Sequence, residues 1–179
     1  MHKLTISVAE LLGRPGRYRD IDISEPLAGV AGELASLTGE PVSGRLRLES
    51  VVEGVLVTGR ITASARFQCA RCLKGVTETV EADLCELFTG PGHGADADAY
   101  RMTGTEIALE PMLVDAVALA FPLRPLCSPG CKGLCARCGA DLNTEPCACP
   151  TDEIDPRWRP LEALKDKLTG AAEGRAHSA

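Results

Sequence analysis

Aromatic residues are scarce in this chain. They make up 3% of the composition, with one Trp, two Tyr and three Phe. Many proteins that bind single-stranded nucleic acid stack the bases on exposed aromatic rings, so this composition argues against such a surface. The formal net charge of −6 also argues against indiscriminate binding to a polyanion. The core must therefore be packed mainly from Val, Leu and Ala.

A long apolar run is also missing. The most apolar stretch, residues 112–121, is interrupted by Asp115, whereas spanning a bilayer takes about 18 consecutive apolar residues. Residues 1–10 lack the apolar segment of a secretion signal. We therefore expect a protein of the reducing cytoplasm that makes no contact with a membrane. In that compartment, clustered cysteines indicate metal binding or redox chemistry more often than structural disulfides.

The patterns of common catalytic sites are absent too. The chain has three histidines, none of them close to a cysteine, and it shows neither a Ser/His/Asp set nor a Gly-rich phosphate loop. We predict that the protein is not an enzyme and has no small-molecule substrate. The enzymatic alternative is a Cys-x2-Cys thiol–disulfide oxidoreductase. We disfavour it because such a motif is expected to open a helix, and here it lies between two predicted strands.

Cysteine, in contrast, is abundant. Eight of the nine cysteines form close pairs, which leaves Cys85 alone within a predicted strand. The pairs are Cys69/Cys72, Cys127/Cys131, Cys135/Cys138 and Cys147/Cys149. Thiols at such spacings commonly share a metal ion, and four thiolates make a structural zinc site. We predict two structural Zn²⁺ ions, and we expect Cys85 to be packed as a small side chain.

The eight paired thiols can be divided in two ways. In the partition that we prefer, one ion is held by Cys135, Cys138, Cys147 and Cys149 and the other by Cys69, Cys72, Cys127 and Cys131. This partition leaves no paired thiol unassigned. In the alternative, one zinc is held by residues 127, 131, 135 and 138, and the other thiols are free or weakly bound.

The hydrophobic pattern predicts an α+β fold. Alternating apolar residues predict strands, and the apolar segment 110–121, with Pro111 in its first turn and Pro122 after it, predicts a largely buried helix. A short C-terminal helix is expected from Pro160 to Gly170. Strands are expected at 4–8, 18–23, 44–52, 55–67, 76–88 and 105–109.

These elements suggest three parts of the chain. Residues 1–126 form an antiparallel β domain with one buried helix. Residues 127–168 form a cysteine-rich zinc-binding segment with the short helix, and residues 169–179 form a frayed tail.

The strands at 44–52 and 55–67 predict a hairpin that turns at Glu53-Gly54. The predicted register places Leu46 opposite Ile61 and Arg47 opposite Arg60. Residues 44–75 carry six basic residues against two acidic ones. This strip could be a solvated face or a surface that binds phosphate or acidic groups, and the sequence leaves both open. The candidate RNA- or partner-binding residues are Arg45, Arg47, Arg60, Arg66, Arg71 and Lys74.

Several motifs together resemble the YceD family of large ribosomal RNA subunit accumulation proteins. The likeness spans roughly residues 15–168, and its motifs lie at 48–59, 69–73, 86–88, 126–139, 141–143 and 154–157. It implies a cytoplasmic, non-enzymatic ribosome biogenesis factor that is needed for normal accumulation of large-subunit ribosomal RNA. The implied partner is that RNA or a large-subunit assembly protein.

The resemblance also bears on the role of the C-terminal cysteines. Some relatives have a much reduced C-terminal cysteine cluster, which implies that this cluster supports the structure and is not the working site. The alternative function, outside the ribosome pathway, is a zinc-dependent nucleic-acid-binding module.

Overall fold

A computed structural model describes residues 4–30, 32, 35–90, 99–150 and 156–161. These residues form eight β-strands, one α-helix and one 3-10 helix. The strands are β1 (Thr5–Ser7), β2 (Tyr18–Glu25), β3 (Ala35–Leu37), β4 (Val42–Ser50), β5 (Gly54–Gln68), β6 (Gly75–Thr89), β7 (Tyr100–Arg101) and β8 (Glu106–Ala108). The helix α1 spans Leu109–Ala120, and the 3-10 helix spans Pro156–Leu161.

The main sheet has six strands and is built around β5. Its order is β2-β4-β5-β6-β7, and β3 pairs with the C-terminal end of β5. All pairings are antiparallel except that of β6 with β7. Strands β1 and β8 form a separate two-stranded antiparallel sheet. The predicted α+β class, with a mainly antiparallel sheet and one α-helix, is confirmed for the described residues.

One face of the sheet carries the core. Alternate residues of β4 and β5, such as Leu46, Leu48, Val57 and Ile61, are at most 1% exposed. Side chains of successive strand residues point to opposite faces, so the apolar alternation in the sequence becomes one buried and one solvated face. Aliphatic side chains supply most of this core, as the low aromatic content predicts, and Phe67 and Phe88 complete it.

The helix α1 follows β8 directly and packs on the sheet through one side only. Leu109, Met112, Leu113 and Val117 are buried, whereas Leu119 is 86% exposed. The helix begins and ends one residue before the predicted segment 110–121. The expected burial is only half correct, because one apolar side of the helix is left uncovered. Among the described residues, no helix is both long and apolar enough to cross a membrane.

The β4–β5 hairpin differs in register from the prediction by two residues. Val51 and Gly54 exchange backbone hydrogen bonds, so the turn lies at Val52-Glu53 and not at Glu53-Gly54. Arg45, not Arg47, lies opposite Arg60. A shift of two residues keeps every side chain on its predicted face, and for that reason the alternation could not distinguish the two registers.

Two glycines explain the observed register. Gly44 lies opposite Ile61, and Gly59 lies opposite Leu46, so each glycine faces a large inward side chain. A Cβ atom built at Gly44 would lie 2.2 Å from the Arg60 carbonyl oxygen, and one built at Gly59 would lie 2.3 Å from the Arg45 carbonyl oxygen. The two strands therefore approach each other more closely than side chains at these positions would allow.

The chain divides into two compact units, residues 1–133 and 134–179. The first unit includes Cys127 and Cys131, whereas the sequence suggested a boundary after residue 126. The predicted helix from Pro160 to Gly170 lies almost entirely outside the described residues. Trp158 lies on the 3-10 helix and is 60% exposed.

We predict that Gly44→Ala destabilises the protein by about 1–3 kcal/mol, because the added methyl group meets backbone atoms that cannot move independently. Urea unfolding followed by circular dichroism measures the change. Gly75→Ala is the matched control, since a Cβ atom at Gly75 has no neighbour within 4 Å. Equal stability of the two variants would contradict the close approach of β4 and β5.

Candidate metal centres and the basic face

The first candidate metal centre lies at the tip of the long β5–β6 hairpin. Cys69 and Cys72 occupy the turn between these strands, and both are buried. The Cys69 N–H donates to the Lys74 carbonyl, and the Leu73 N–H donates to the Cys69 carbonyl. These two bonds fix the turn, so its sulfurs are placed by the same hydrogen-bonded ladder that forms the sheet.

A second segment brings the other two thiols to this tip. Ala70 N–H donates to the Pro125 carbonyl at 2.8 Å, which aligns the segment after α1 with the turn. The Arg71 Nη1 donates to the Cys131 carbonyl at 2.6 Å. Backbone and side-chain bonds therefore hold residues 125–131 beside the Cys-Ala-Arg-Cys turn.

The four sulfurs of this centre form a compact cluster. The Cys69 and Cys131 sulfurs are 3.8 Å apart, and the Cys72 and Cys127 sulfurs are 3.5 Å apart. All four lie within 4.8 Å of one another. These separations exceed the roughly 2.05 Å of a disulfide. A tetrahedron with Zn–S bonds of about 2.3 Å has edges of about 3.8 Å, so the set could hold a metal ion and is consistent with zinc.

The electrostatics of the cluster favour a bound cation. Backbone N–H groups of Cys72 and Cys127 donate to the Cys69 sulfur and lower the pKa of this thiol to about 6. The pKa of Cys127 is raised to about 12, chiefly because its thiol interacts with the Cys72 sulfur. The Cys69 thiol thus ionises readily, but ionising a second thiol is penalised because it places two negative sulfurs side by side. A divalent cation would remove that penalty and deprotonate the remaining thiols.

The second candidate centre lies in the second unit. Cys135, Cys138, Cys147 and Cys149 place all four sulfurs within 4.8 Å of one another. The pKa of Cys135 is lowered to about 6, chiefly because the Cys138 backbone N–H donates to its sulfur. The pKa of Cys149 is raised to about 12, chiefly because its thiol interacts with the Cys138 sulfur. The eight thiols are thus brought together in the two sets of the preferred partition, although metal ligation itself stays a prediction.

The two centres share the same turn. Cys69-Ala-Arg-Cys72 and Cys135-Ala-Arg-Cys138 are identical tetrapeptides. As in the first turn, the second has a Cys135 N–H that donates to the Ala140 carbonyl and a Gly139 N–H that donates to the Cys135 carbonyl. The residue after each tetrapeptide has a positive φ, 61° for Leu73 and 73° for Gly139. The repeated tetrapeptide was the signal in the sequence that could have revealed this common geometry.

Side chains around Asp141 shape the loop that leads to Cys147. The Asp141 carboxylate accepts from the backbone N–H of Asn143 at 3.0 Å, and the Asp141 carbonyl accepts from the Thr144 hydroxyl at 2.9 Å. An aspartate that accepts from the N–H two residues later forms an Asx turn. Residues 141–143 are one of the motifs of the family resemblance, and their role here is to turn the chain between the two thiol pairs.

Three of the six predicted basic residues form ion pairs on the outer face of the sheet. Arg47 donates to both oxygens of Asp20, at 2.8 and 3.3 Å, and Arg60 donates to both oxygens of Asp83, at 2.6 and 3.1 Å. These arginines lower the pKa of both aspartates. Arg45 lies 3.8 Å from Asp20.

Arg45 and Arg60 belong to a row of charges that crosses four strands. Asp22 lies opposite Arg45, Arg45 opposite Arg60, and Arg60 opposite Asp83. The acidic residues on both sides offset the repulsion between the two central arginines. The positive charge that the sequence placed on this hairpin is therefore largely neutralised by β2 and β6. Sequence reasoning missed these partners because they lie outside the hairpin.

The remaining three basic residues lie toward the Cys-Ala-Arg-Cys turn. Arg66 is exposed on the outer face of β5, opposite Ser36 and Thr77. Arg71 supports the first centre through its bond to Cys131, and Lys74 lies at the end of the turn. The six predicted residues thus do not form one uniform basic strip.

Cys85 does not belong to either centre, as the sequence predicted, but its expected packing is wrong. It lies on the outer face of β6 opposite Thr58 and is exposed. Its odd position in β6 places it with Asp83 on the solvated face, whereas Leu84 points into the core.

The fold and the thiol geometry define an α+β protein with two tetrathiol clusters, each of which could hold a metal ion. Residues 57–165 match the family model described as large ribosomal RNA subunit accumulation protein YceD. The matched region contains all eight paired cysteines. The chain belongs to the YceD family.

Curated relatives support this membership. An uncharacterised protein of Mycobacterium tuberculosis is 39% identical over 165 residues, covering 88% of this chain and 79% of that protein. The chloroplastic YCED homolog 1 of Zea mays is 27% identical over 171 residues, covering 77% of this chain and 54% of that protein. The Arabidopsis thaliana homolog of the same name is 35% identical over 63 residues, 35% of this chain and 20% of that protein. No solved structure matches this chain significantly.

We predict that Leu73→Gly stabilises the protein by about 1 kcal/mol, because a left-handed backbone costs an L-residue about 1–2 kcal/mol that glycine avoids. Urea unfolding of the metal-loaded protein measures the change. Leu73→Ala is the control, since it shortens the side chain but keeps the Cβ atom that causes the strain. A stability gain in the alanine variant as large as that in the glycine variant would contradict the argument.

Proposed function

We propose that this chain is a non-enzymatic ribosome biogenesis factor of the cytoplasm that promotes accumulation of large-subunit ribosomal RNA. The observation that carries the proposal is the match of residues 57–165 to the family with that name. The matched segment contains β6, α1 and the paired thiols of both centres, so it includes the features that distinguish this fold. The proposal transfers the family role to the whole domain.

We further propose that both thiol clusters hold Zn²⁺ in a structural role. Each cluster supplies four sulfur ligands, which fill a tetrahedral site and leave no coordination position for an activated water molecule. Cys69, whose pKa is lowered to about 6, is 0% exposed, and a thiol that attacks a disulfide needs access to it. Burial therefore supports a ligand in preference to a thiol–disulfide exchange site.

The structural role has an energetic basis. In the first centre the ion would join Cys72 to Cys127, which are 55 residues apart. Closing so long a loop reduces the freedom of the unfolded chain. Structural zinc in small modules contributes roughly 10–16 kcal/mol of apparent binding free energy to folding. Each ion would thus fix a Cys-Ala-Arg-Cys turn to the segment that carries the other two cysteines of its cluster.

The predicted partner-binding residues are best divided by their contacts. Because Arg45, Arg47 and Arg60 already have carboxylate partners, a phosphate would have to displace those partners to bind there. Arg71 is engaged with Cys131. We propose that ribosomal RNA or an assembly protein contacts the sheet near the Cys-Ala-Arg-Cys turn, where the side chains of Arg66 and Lys74 are both exposed.

We expect two zinc ions per chain, and each centre should lose its own ion independently. Cys69→Ser/Cys72→Ser and Cys135→Ser/Cys138→Ser should each reduce the content to one ion, because the two clusters share no ligand. Elemental analysis of protein purified in reducing buffer measures the stoichiometry. Cys85→Ser is the control and should retain both ions. Wild-type protein without zinc or a similar metal would refute the structural-metal proposal.

The cellular role can be tested by complementation. Cells that lack this chain should show a lower ratio of large- to small-subunit ribosomal RNA, and the wild-type chain should restore it. Arg66→Glu/Lys74→Glu should fail to restore the ratio, because it reverses the two charges proposed to contact the partner. Quantitative RNA electrophoresis measures the ratio. Capture of the partner with and without ribonuclease then shows whether the chain binds RNA or a protein.

A charge-swapped variant gives the matched control for this experiment. Arg47→Asp/Asp20→Arg preserves a cross-strand ion pair while it moves the positive charge to β2. We expect this variant to restore the RNA ratio, since the pair is proposed to serve the sheet and not the partner. If the swapped variant folds normally but does not restore the RNA ratio, the interface includes the β4–β5 hairpin.

A further inference from the structure

The long strand β6 has an open edge. All of its fifteen residues pair with β5 on one side, from Gly75 opposite Gln68 to Thr89 opposite Gly54. On its other side β7 pairs only with Phe88 and Thr89. Within the part of the chain that the structure describes, residues 75–87 have no second neighbouring strand. An uncovered edge of this length is an available template for another strand.

The backbone groups at this edge point outward in a regular order. Met102 N–H donates to the Thr89 carbonyl, so Thr89 directs its carbonyl away from β5. Gly90 N–H donates toward β5, to the Glu53 carbonyl. Because the direction alternates along an antiparallel strand, the N–H and C=O groups of residues 81, 83, 85 and 87 also point to the open edge.

A groove follows this edge. It has a volume of about 300 Å³ and lies between residues 81–86 of β6 and the uncovered side of α1. Ala82 and Leu84 line it from the strand, and Ala116 and Leu119 line it from the helix. Leu119 is 86% exposed. The groove therefore offers apolar surface to alternate side chains of a chain that runs along β6.

The charges around the groove have one sign. The four charged residues that line it are Glu81, Asp83, Glu86 and Asp115. Arg60 offsets part of this charge, since it donates to Asp83 and lies 3.8 Å from Glu81. Glu86 lies on the strand side, and Asp115, which accepts from the Tyr100 hydroxyl at 2.7 Å, lies on the helix side.

We propose that this groove binds an extended, basic segment of a partner protein, which adds as a strand to the open edge of β6. Recognition of this kind takes its affinity from main-chain hydrogen bonds and its specificity from contacts of alternate side chains. Here one set of side chains would lie on Leu119 and its apolar neighbours, and Lys or Arg residues would meet the acidic rim.

Charge selects this occupant over two others. A second copy of the chain that paired through β6 would bring Glu81 and Asp83 close to the same acidic residues of its partner, which is unfavourable. An RNA strand would meet four carboxylates with its phosphates. The groove proposal is independent of the proposed role in RNA accumulation, because it concerns a different surface from Arg66 and Lys74.

Binding can be tested with a fluorescent synthetic peptide of about eight residues in which Lys and Val alternate. Fluorescence anisotropy with the full metal-loaded chain measures the affinity. One comparison peptide replaces Lys with Glu, and another keeps Lys but methylates every backbone nitrogen, so that it retains the charge and loses the N–H donors. We expect binding of the parent peptide only. Equal binding of the methylated peptide would show attraction by charge alone and overturn strand addition.

Two proline variants locate the site on β6. Cys85→Pro removes an outward-pointing N–H between the groove residues Leu84 and Glu86, and it should weaken binding at least about tenfold, or 1.4 kcal/mol. Thr79→Pro makes the same change on the same edge outside the groove and should leave the affinity unchanged. Proline is tolerated where the N–H faces away from the paired strand, and circular dichroism checks that both variants fold.

A third variant tests the rim without changing the strand backbone. Glu86→Lys should weaken parent-peptide binding, most strongly at low salt, because it reverses one charge of the rim. Three results would each overturn the proposal: equal affinity in Cys85→Pro and Thr79→Pro, binding of an oligouridine that Glu86→Lys strengthens, or a stable dimer of the chain that Cys85→Pro dissociates.

Discussion

Four sulfur atoms from two distant segments meet at the tip of the β5–β6 hairpin, and the rest of the first unit is arranged around that meeting. Thiolates at separations of 3.5–3.8 Å repel one another unless a cation lies between them. The hydrogen bonds of Ala70 and Arg71 to the segment 125–131 bring the sulfurs into place. The end of α1 and the tip of the sheet are thereby joined, which links the helix, the longest strands and the cysteine-rich segment.

The sheet that carries this centre is held by close contact on one face and by charge on the other. Gly44 and Gly59 let β4 and β5 approach each other closely while large side chains fill the buried face. On the solvated face, carboxylates of β2 and β6 flank the central arginines. Exposed pairs of this kind contribute little individually. Their main consequence is that the surface loses most of the positive charge that its own strands carry.

Charge and backbone together divide the surface of the first unit into regions of different character. The turn near Arg66 and Lys74 is basic, the centre of the outer face is neutralised, and the groove beside β6 is acidic and lined by apolar residues. An acidic chain of net charge −6 can thus present opposite chemistries at separate places. The two contacts proposed above, one near the turn and one in the groove, would therefore use separate surfaces of opposite charge.

The sequence by itself determined the α+β class, the faces of the strands, the position of α1 to within one residue and the four close pairs of thiols. These features follow from local periodicity, from proline positions and from short cysteine spacings. Tertiary structure alone decided the hairpin register, because a shift of two residues preserves every face, and it decided the ion pairs of Arg47 and Arg60, because their acidic partners lie on other strands. The exposure of Cys85 and the positive φ of Leu73 had local signals, in the alternation of β6 and in the repeated tetrapeptide. Which thiol pairs share a centre and whether the edge of β6 is open depend instead on which segments become neighbours, and that information is not contained in any local stretch of the chain.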